Sequence, residues 1–216
     1  EVALDREGIQ VFTDTRLQDV RRRGQEKEVV FEEAGREVVI AAEEIFHGLG
    51  RRPATEGLGL ENAGVRLNPS GHIETDSCQR TTAPHIFAAG DCCGPHEVVH
   101  IAIQQGEIAA HNAAIQLGRA AGVPRQMDYR LKLFAVFSDP QLASVGATEA
   151  ELEAEGIEFL AASYPFNDHG KSLLMGETEG LVKLLARRDT GEILGASVVG
   201  PEASELIHEV VVAMRY

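Results

Sequence analysis

Residues 82–113 read TAPHIFAAGDCCGPHEVVHIAIQQGEIAAHNA. The stretch predicts a short apolar strand over Ile86–Ala89, a turn opening at Gly90-Asp91, and a long helix over Glu97–Leu117. Val98, Ile101, Ala102, Ile108, Ala109 and Ile115 recur at helical spacing, and Gly118 suits the carboxyl cap. An acid at the carboxyl end of a strand, facing a helix start, is where α/β folds hold a nucleotide. The structural alternative is that Asp91 caps the following helix.

Working outward, Val2–Phe46 predicts short strands: the alternating Gly8–Phe12, then Val29-Val30-Phe31, a hairpin turn through Ala34-Gly35, and the apolar Val38-Val39-Ile40 and Ile45-Phe46. Arg21-Arg22-Arg23 lies among acidic neighbours and predicts a solvated loop. Pro53 interrupts regular structure after His47–Arg52. Asn68–Gly71 is a turn that leads into a short strand, His72–Thr75. Gly122-Val123-Pro124 predicts a linker. Beyond it the texture changes: Leu131–Phe137, Ala143–Gly146, Leu160–Tyr164, Gly180–Leu185 and Ile193–Val199 predict strands. Thr148 and Glu151 have the spacing of a capping box, and Glu202–Arg215 predicts a helix. This part is α+β. Tyr164 and Phe166 are expected to pack, and Asp168–Lys171 to form a solvated turn.

The bulk properties narrow the class. The chain has 216 residues, 44% of them hydrophobic, which is enough for a core. Its net charge of -14 argues against nucleic acid and against anionic membrane surfaces. No apolar run approaches the roughly 20 residues of a membrane-spanning helix. The first residues, EVALDREGIQ, resemble neither a signal nor a transit peptide and lack a starting Met, as expected of a cut end. Three cysteines, Cys78, Cys92 and Cys93, make no disulfide framework and fit a cytoplasmic setting. Adjacent Cys92 and Cys93 are expected to be turn residues rather than a redox pair. No Cys/His set has metal-ligand spacing.

Four motifs, in order, resemble the pyridine nucleotide–disulfide oxidoreductases, the family of dihydrolipoamide dehydrogenase, mercuric reductase and glutathione reductase. Gly50-Arg51-Arg52-Pro53 is similar to the family's GR-x-P, with Ala54 where Asn is usual. Thr82–Asp91 is similar to its second flavin motif. FSDPQLASVG, residues 137–146, resembles the start of its dimerisation domain, and residues 195–214 resemble that domain's later strand and helix. The resemblance implies α/β and α+β architecture in three parts. Residues 1–52 would be the second half of the NAD(P)-binding domain, 53–122 the returning segment of the Rossmann-like FAD-binding domain, and 123–216 the dimerisation domain, truncated at its carboxyl end.

It also implies the cofactors FAD and NAD(P), in the full-length enzyme rather than in this portion alone. Asp91 would accept hydrogen bonds from flavin ribityl and ribose hydroxyls, with Gly90 admitting the close approach. Glu97, Val98, Val99 and His100 match the next helix start, whose backbone N–H groups and positive end would stabilise charge on reduced flavin. A Glu97 side chain beside reduced flavin is unfavourable unless it turns away. Gly50 matches a position near the nicotinamide cofactor. The chain lacks Cys-x4-Cys, a G-x-G-x-x-G and the carboxyl-terminal His-Pro segment. It therefore carries no catalytic residue of the family, and the isolated chain is expected to be inactive and to bind FAD poorly. The expected partner is a second copy, through apolar residues such as Val198-Val199, Leu206-Ile207 and Val210–Val212. A mercuric-reductase-like or transhydrogenase-like flavoenzyme and a non-catalytic dimerisation module are the alternatives.

Overall fold

The computed structural model describes residues 2–216. Contacts divide the chain into two compact units, Glu1–Arg51 and Arg52–Tyr216.

The first unit opens with a short helix, α1 (Val2–Arg6). The strand expected over Gly8–Phe12 does not form. Gly8 takes a left-handed φ of 77°, its N–H bonds the Asp5 carbonyl at 3.0 Å, and the Ile9 N–H reaches Leu4 at 3.0 Å. That paired arrangement ends a helix and consumes the donors a strand would use. Three antiparallel strands follow, β1 (Arg16–Arg23), β2 (Glu26–Glu33) and β3 (Arg36–Ala42), with β2 central. Ala34 and Gly35, both at positive φ, make the β2–β3 hairpin turn. Val30 and Phe31 are buried, and Phe12 meets Phe31 edge to face at 5.1 Å. Arg21–Arg23 is strand, not loop. Arg21 Nε and Arg23 Nη1 hold the Glu28 carboxylate at 2.8 and 3.2 Å, so this edge strand is set by cross-strand charge rather than apolar burial. Ile45-Phe46 forms no strand, and Phe46 is fully exposed.

In the second unit, residues 52–98 are held mostly by turns. Asn68 Oδ1 accepts the N–H groups of Ser70 and His72, closing the expected turn. The expected strands at His72–Thr75 and Ile86–Ala89 are extended but pair only through single bridges, Leu67 with Ile73, Thr75 with Thr81 and Arg80 with Phe87. A ladder needs a continuous partner, and among the described residues these segments have none. Val65, Ile73, Ala83, Ala88 and Cys93 form the small core beneath them. Then α2 runs over Val99–Gln116, with Gly118 at φ 65° just past its end.

The rest is an antiparallel sheet with helices. Its strands are β4 (Leu133–Val136), β5 (Gln141–Gly146), β6 (Phe159–Pro165), β7 (Leu181–Arg187) and β8 (Ile193–Gly200), in the order β4-β5-β8-β7-β6. Helix α3 (Glu149–Ala154) follows β5, with the expected Thr148–Glu151 capping box, and α4 (Gly170–Met175) follows β6. Helix α5 (Ala203–Arg215) packs on β5 and β8. Ala143, Val145, Ala196, Val198, Ala203 and Ile207 make a close-packed core, with small residues bringing helix and sheet together. Phe166 joins this core. Tyr164 does not: it is half exposed and its hydroxyl donates to Asp168. Asp168–Lys171 spans the entry to α4 rather than a simple turn, with His169 Nδ1 3.0 Å from Ser172 Oγ.

Candidate functional site

The site is the turn from Gly90 to Gly94 and the helix start that follows it. Gly90 has φ 84°, a region where a side chain strains the backbone, and a Cβ there would lie 3.5 Å from Ala102 on α2. The Cys93 N–H closes the turn on the Gly90 carbonyl at 3.0 Å, and the Cys92 carbonyl accepts from Ile73 at 2.8 Å. Asp91 sits half buried at the crest, and Gly90 directly before it.

Val98, extended at φ -130°, precedes the helix and no side chain caps it. Helix geometry leaves the N–H groups of Val99, His100 and Ile101 without intrahelical acceptors; the Ala102 N–H is the first to bond back, to Val98 at 2.9 Å. Val99 and His100 are exposed, while Val98 packs against Ile101, Ile108 and Met127. The helix thus presents an accessible positive end beside the Asp91 turn. Glu97 Oε1 lies 3.4 Å from His72 Nε2. The structure therefore gathers Gly90, Asp91, Glu97, Val98, Val99 and His100 into one turn and helix start. Gly50 belongs to the other unit, where it is exposed at φ 92° with open space around its Cα.

The cysteines after Asp91 are thiols, not a disulfide. Burial, and then the neighbouring Cys92, push the Cys93 thiol up to about 11, which removes thiolate character near neutral pH. His96 packs edge to face on Tyr129 and Phe134, at 5.4 and 5.5 Å. Burial and the Lys132 charge hold its imidazole below the usual histidine range. Two polar residues that the motif reading passed over are nearly or fully buried on α2. Gln105 bonds the turn itself, and Asn112 holds Cys78 and Arg125. Their signal was in the sequence: Ile101, Gln105, Ile108 and Asn112 share one helical stripe.

A groove of about 780 Å³ lies elsewhere, by β5, α3 and the end of α5. Six of its charged residues pair with one another, Lys132 with Glu151, Arg130 with Asp128 and Arg187 with Glu192, and Glu155 and Arg215 line it as well. Among the described residues no group of three His, Cys, Asp or Glu is placed to hold a metal, and no helix is long and apolar enough to cross a membrane.

A glycine-acid turn against an open helix start, followed by an antiparallel sheet packed with helices, makes up a protein of mixed α/β class. The profile of the pyridine nucleotide-disulphide oxidoreductases matches residues 1–106, and that of their dimerisation domain matches residues 134–216. The chain belongs to the pyridine nucleotide-disulphide oxidoreductase family.

Dihydrolipoyl dehydrogenase of Bacillus subtilis is 36% identical over 207 residues, covering 96% of this chain and 43% of the relative. That of Geobacillus stearothermophilus is 36% identical, covering 98% and 44%. Among solved structures, LpdA from Mycobacterium tuberculosis superposes with a TM-score of 0.80 at 30% identity, over 100% of this chain and 45% of that one. The HOCl-induced flavoprotein disulfide reductase RclA from Escherichia coli gives 0.78 at 25%, over 99% and 47%. The chain spans less than half the length of these proteins.

Proposed function

We propose that this chain is the carboxyl-side portion of an FAD-dependent NAD(P)H oxidoreductase that passes electrons through flavin to a disulfide, as a dihydrolipoamide-dehydrogenase-like enzyme. The carrying observation is the Gly90-Asp91 turn set against the uncapped, accessible start of α2. Asp91 would accept hydrogen bonds from the hydroxyls of the flavin chain. Gly90, without a Cβ, leaves the approach clear. The N–H groups of Val99, His100 and Ile101 would face the part of the flavin that gains negative charge on reduction. FAD supplies the two-electron carrier between nicotinamide and disulfide. The chain's own residues hold and polarise it; none of them is assigned a proton transfer. Gly50, in the first unit, would lie along the nicotinamide dinucleotide.

In this reading residues 1–52 belong to the NAD(P)-binding domain, 53–122 to the FAD-binding domain and 123–216 to the dimerisation domain. The partner is a second copy. Val198 and Ile207 are fully committed to the core, so the apolar residues α5 offers outward are Leu206 and Val212. The setting is cytoplasmic, in keeping with three unpaired cysteines.

The test begins with the natural coding sequence upstream of Glu1, expected to encode G-x-G-x-x-G followed by Cys-x4-Cys. The complete polypeptide is expected to purify yellow and to reduce a dithiol-forming disulfide with NADH or NADPH. Asp91→Ala is expected to weaken FAD retention at least about tenfold, as loss of a charged hydrogen-bond acceptor would. A complete polypeptide that binds no flavin would sink the reading. The 216-residue chain alone is expected to turn over no NAD(P)H; robust diaphorase activity from it would refute the assignment of catalysis to residues outside it.

A further inference from the structure

We infer that Gln105 is the positioning residue that sets the span of the Asp91 turn and locks it to the start of α2; this rests on the flavin reading above. Gln105 has no exposed surface. Its Oε1 accepts the Gly90 N–H at 2.7 Å, and its Nε2 donates to the Gly94 carbonyl at 2.8 Å and to the Tyr129 hydroxyl oxygen at 2.8 Å. The amide orientation is forced. The Gly90 atom it meets is an N–H and the Gly94 atom a carbonyl oxygen, so the amide oxygen must face the first and the nitrogen the second. One planar, fully satisfied group therefore bonds both ends of a five-residue turn.

The same side chain stands on the second turn of α2, whose first turn carries the open N–H groups of Val99 and His100. Asp91 and that helix end are thereby held at a fixed separation, as a ligand touching both requires. Tyr129 extends the tie. Its ring meets His96 edge to face, and its hydroxyl receives the second Nε2 hydrogen, so the turn is also anchored where the chain enters the β4–β8 sheet. Alternatives to glutamine fail by inspection. A leucine fills the volume but takes its acceptor from the part-buried Gly90 N–H and its amide donor from the buried Gly94 carbonyl. A glutamate carboxylate accepts from Gly90 but opposes the Gly94 carbonyl with another acceptor.

The experiment uses the complete polypeptide with its flavin and compares Gln105→Leu, Gln105→Glu and Asp91→Ala. FAD affinity, the visible flavin spectrum and the flavin midpoint potential are measured, with folding checked by amide exchange in β5 and β8. Gln105→Leu is expected to hold FAD about tenfold more weakly, with a shifted spectrum and potential, while β5 and β8 stay protected. Gln105→Glu, milder in shape, is expected to show the same shifts to a smaller extent and decides the matter if the leucine variant does not fold. A folded variant of either kind with wild-type affinity, spectrum and potential overturns the inference. If Asp91→Ala loses flavin while both Gln105 variants match wild type, only the role of Gln105 fails. If wild type binds no flavin, the underlying reading fails instead.

Discussion

The Asp91 turn and the β4–β8 sheet belong to the same compact unit but are held by different physics. Around the turn, backbone is fixed by buried polar side chains: Gln105 on Gly90 and Gly94, Asn112 on Cys78 and Arg125, Thr55 on Gly71. In the sheet, backbone bonds backbone in a regular ladder, and side chains contribute apolar packing against α5. A loop-built site must present free polar groups outward, so its own backbone is satisfied from beneath by side chains. A sheet satisfies its backbone by pairing and is free to spend its side chains on a dry core. Hydrogen bonds at the site are therefore individually decisive, whereas in the sheet close packing is.

That contrast is sharpest at Gly180. It has φ 104°, and a Cβ there would overlap the Val199 carbonyl of the neighbouring strand. Gly180→Ala is expected to cost about 4 kcal/mol or more and to abolish protection of β7 and β8 in amide exchange. A mild effect would show the sheet to be far more compliant than its packing implies. Ile207→Ala, at a fully buried core position on α5, comes next, with an expected loss of about 3 kcal/mol measured by urea unfolding of the complete polypeptide. Asn112→Ala tests the other region. It orphans the Arg125 N–H and two carbonyl groups, for an expected cost of about 2 kcal/mol confined to residues 78–125. Were Asn112→Ala to leave exchange in that segment unchanged, the proposed division of labour between polar ties and apolar packing would collapse.

The same difference explains what the sequence could and could not reveal. Helix α2, the α3 capping box and strands β7 and β8 follow from periodicity and capping chemistry, because each is a local pattern carried by its own residues. The Gly90-Asp91 turn was legible as a motif, although Ile86–Ala89 beside it makes one bridge instead of a strand. An apolar run states that a segment will be buried, not that a partner will pair with it. Gly8–Phe12 misled for a related reason: alternation is uninformative when a glycine first closes a helix. In β1 the reverse held. Arg21 and Arg23 look like a solvated run until Glu28 on the facing strand is known, and that pairing is non-local. Gln105 and Asn112 stood on the buried stripe of α2, but a search for apolar residues skips polar members of an apolar face.

The smallest expected effect concerns charge at the sheet's edge, where neither polar ties nor dry packing dominate. Thr148 Oγ1 accepts the Glu151 N–H at 3.2 Å, and Glu151 Oε2 accepts the Thr148 N–H at 2.8 Å and also bonds its hydroxyl. Lys132 pairs with the same carboxylate. The Lys132 bond first, then the Thr148 N–H, hold the Glu151 carboxyl down at about 2, below its ordinary value of 4.5. A carboxylate depressed by folding stabilises above its unfolded pKa, and that stabilisation is lost as pH falls through the folded one. The contribution is thus complete above about pH 4.5 and disappears toward pH 2. Because Glu151 is partly exposed, solvent screening limits the effect to about 1 kcal/mol or less. Glu151→Gln keeps a capping acceptor but not the charge, so its stability deficit, read as amide exchange in α3, should shrink as pH is lowered through that window. A deficit independent of pH would assign the role of Glu151 to cap geometry alone. It would also place this edge with the Asp91 turn, as a region governed by hydrogen bonds rather than by charge.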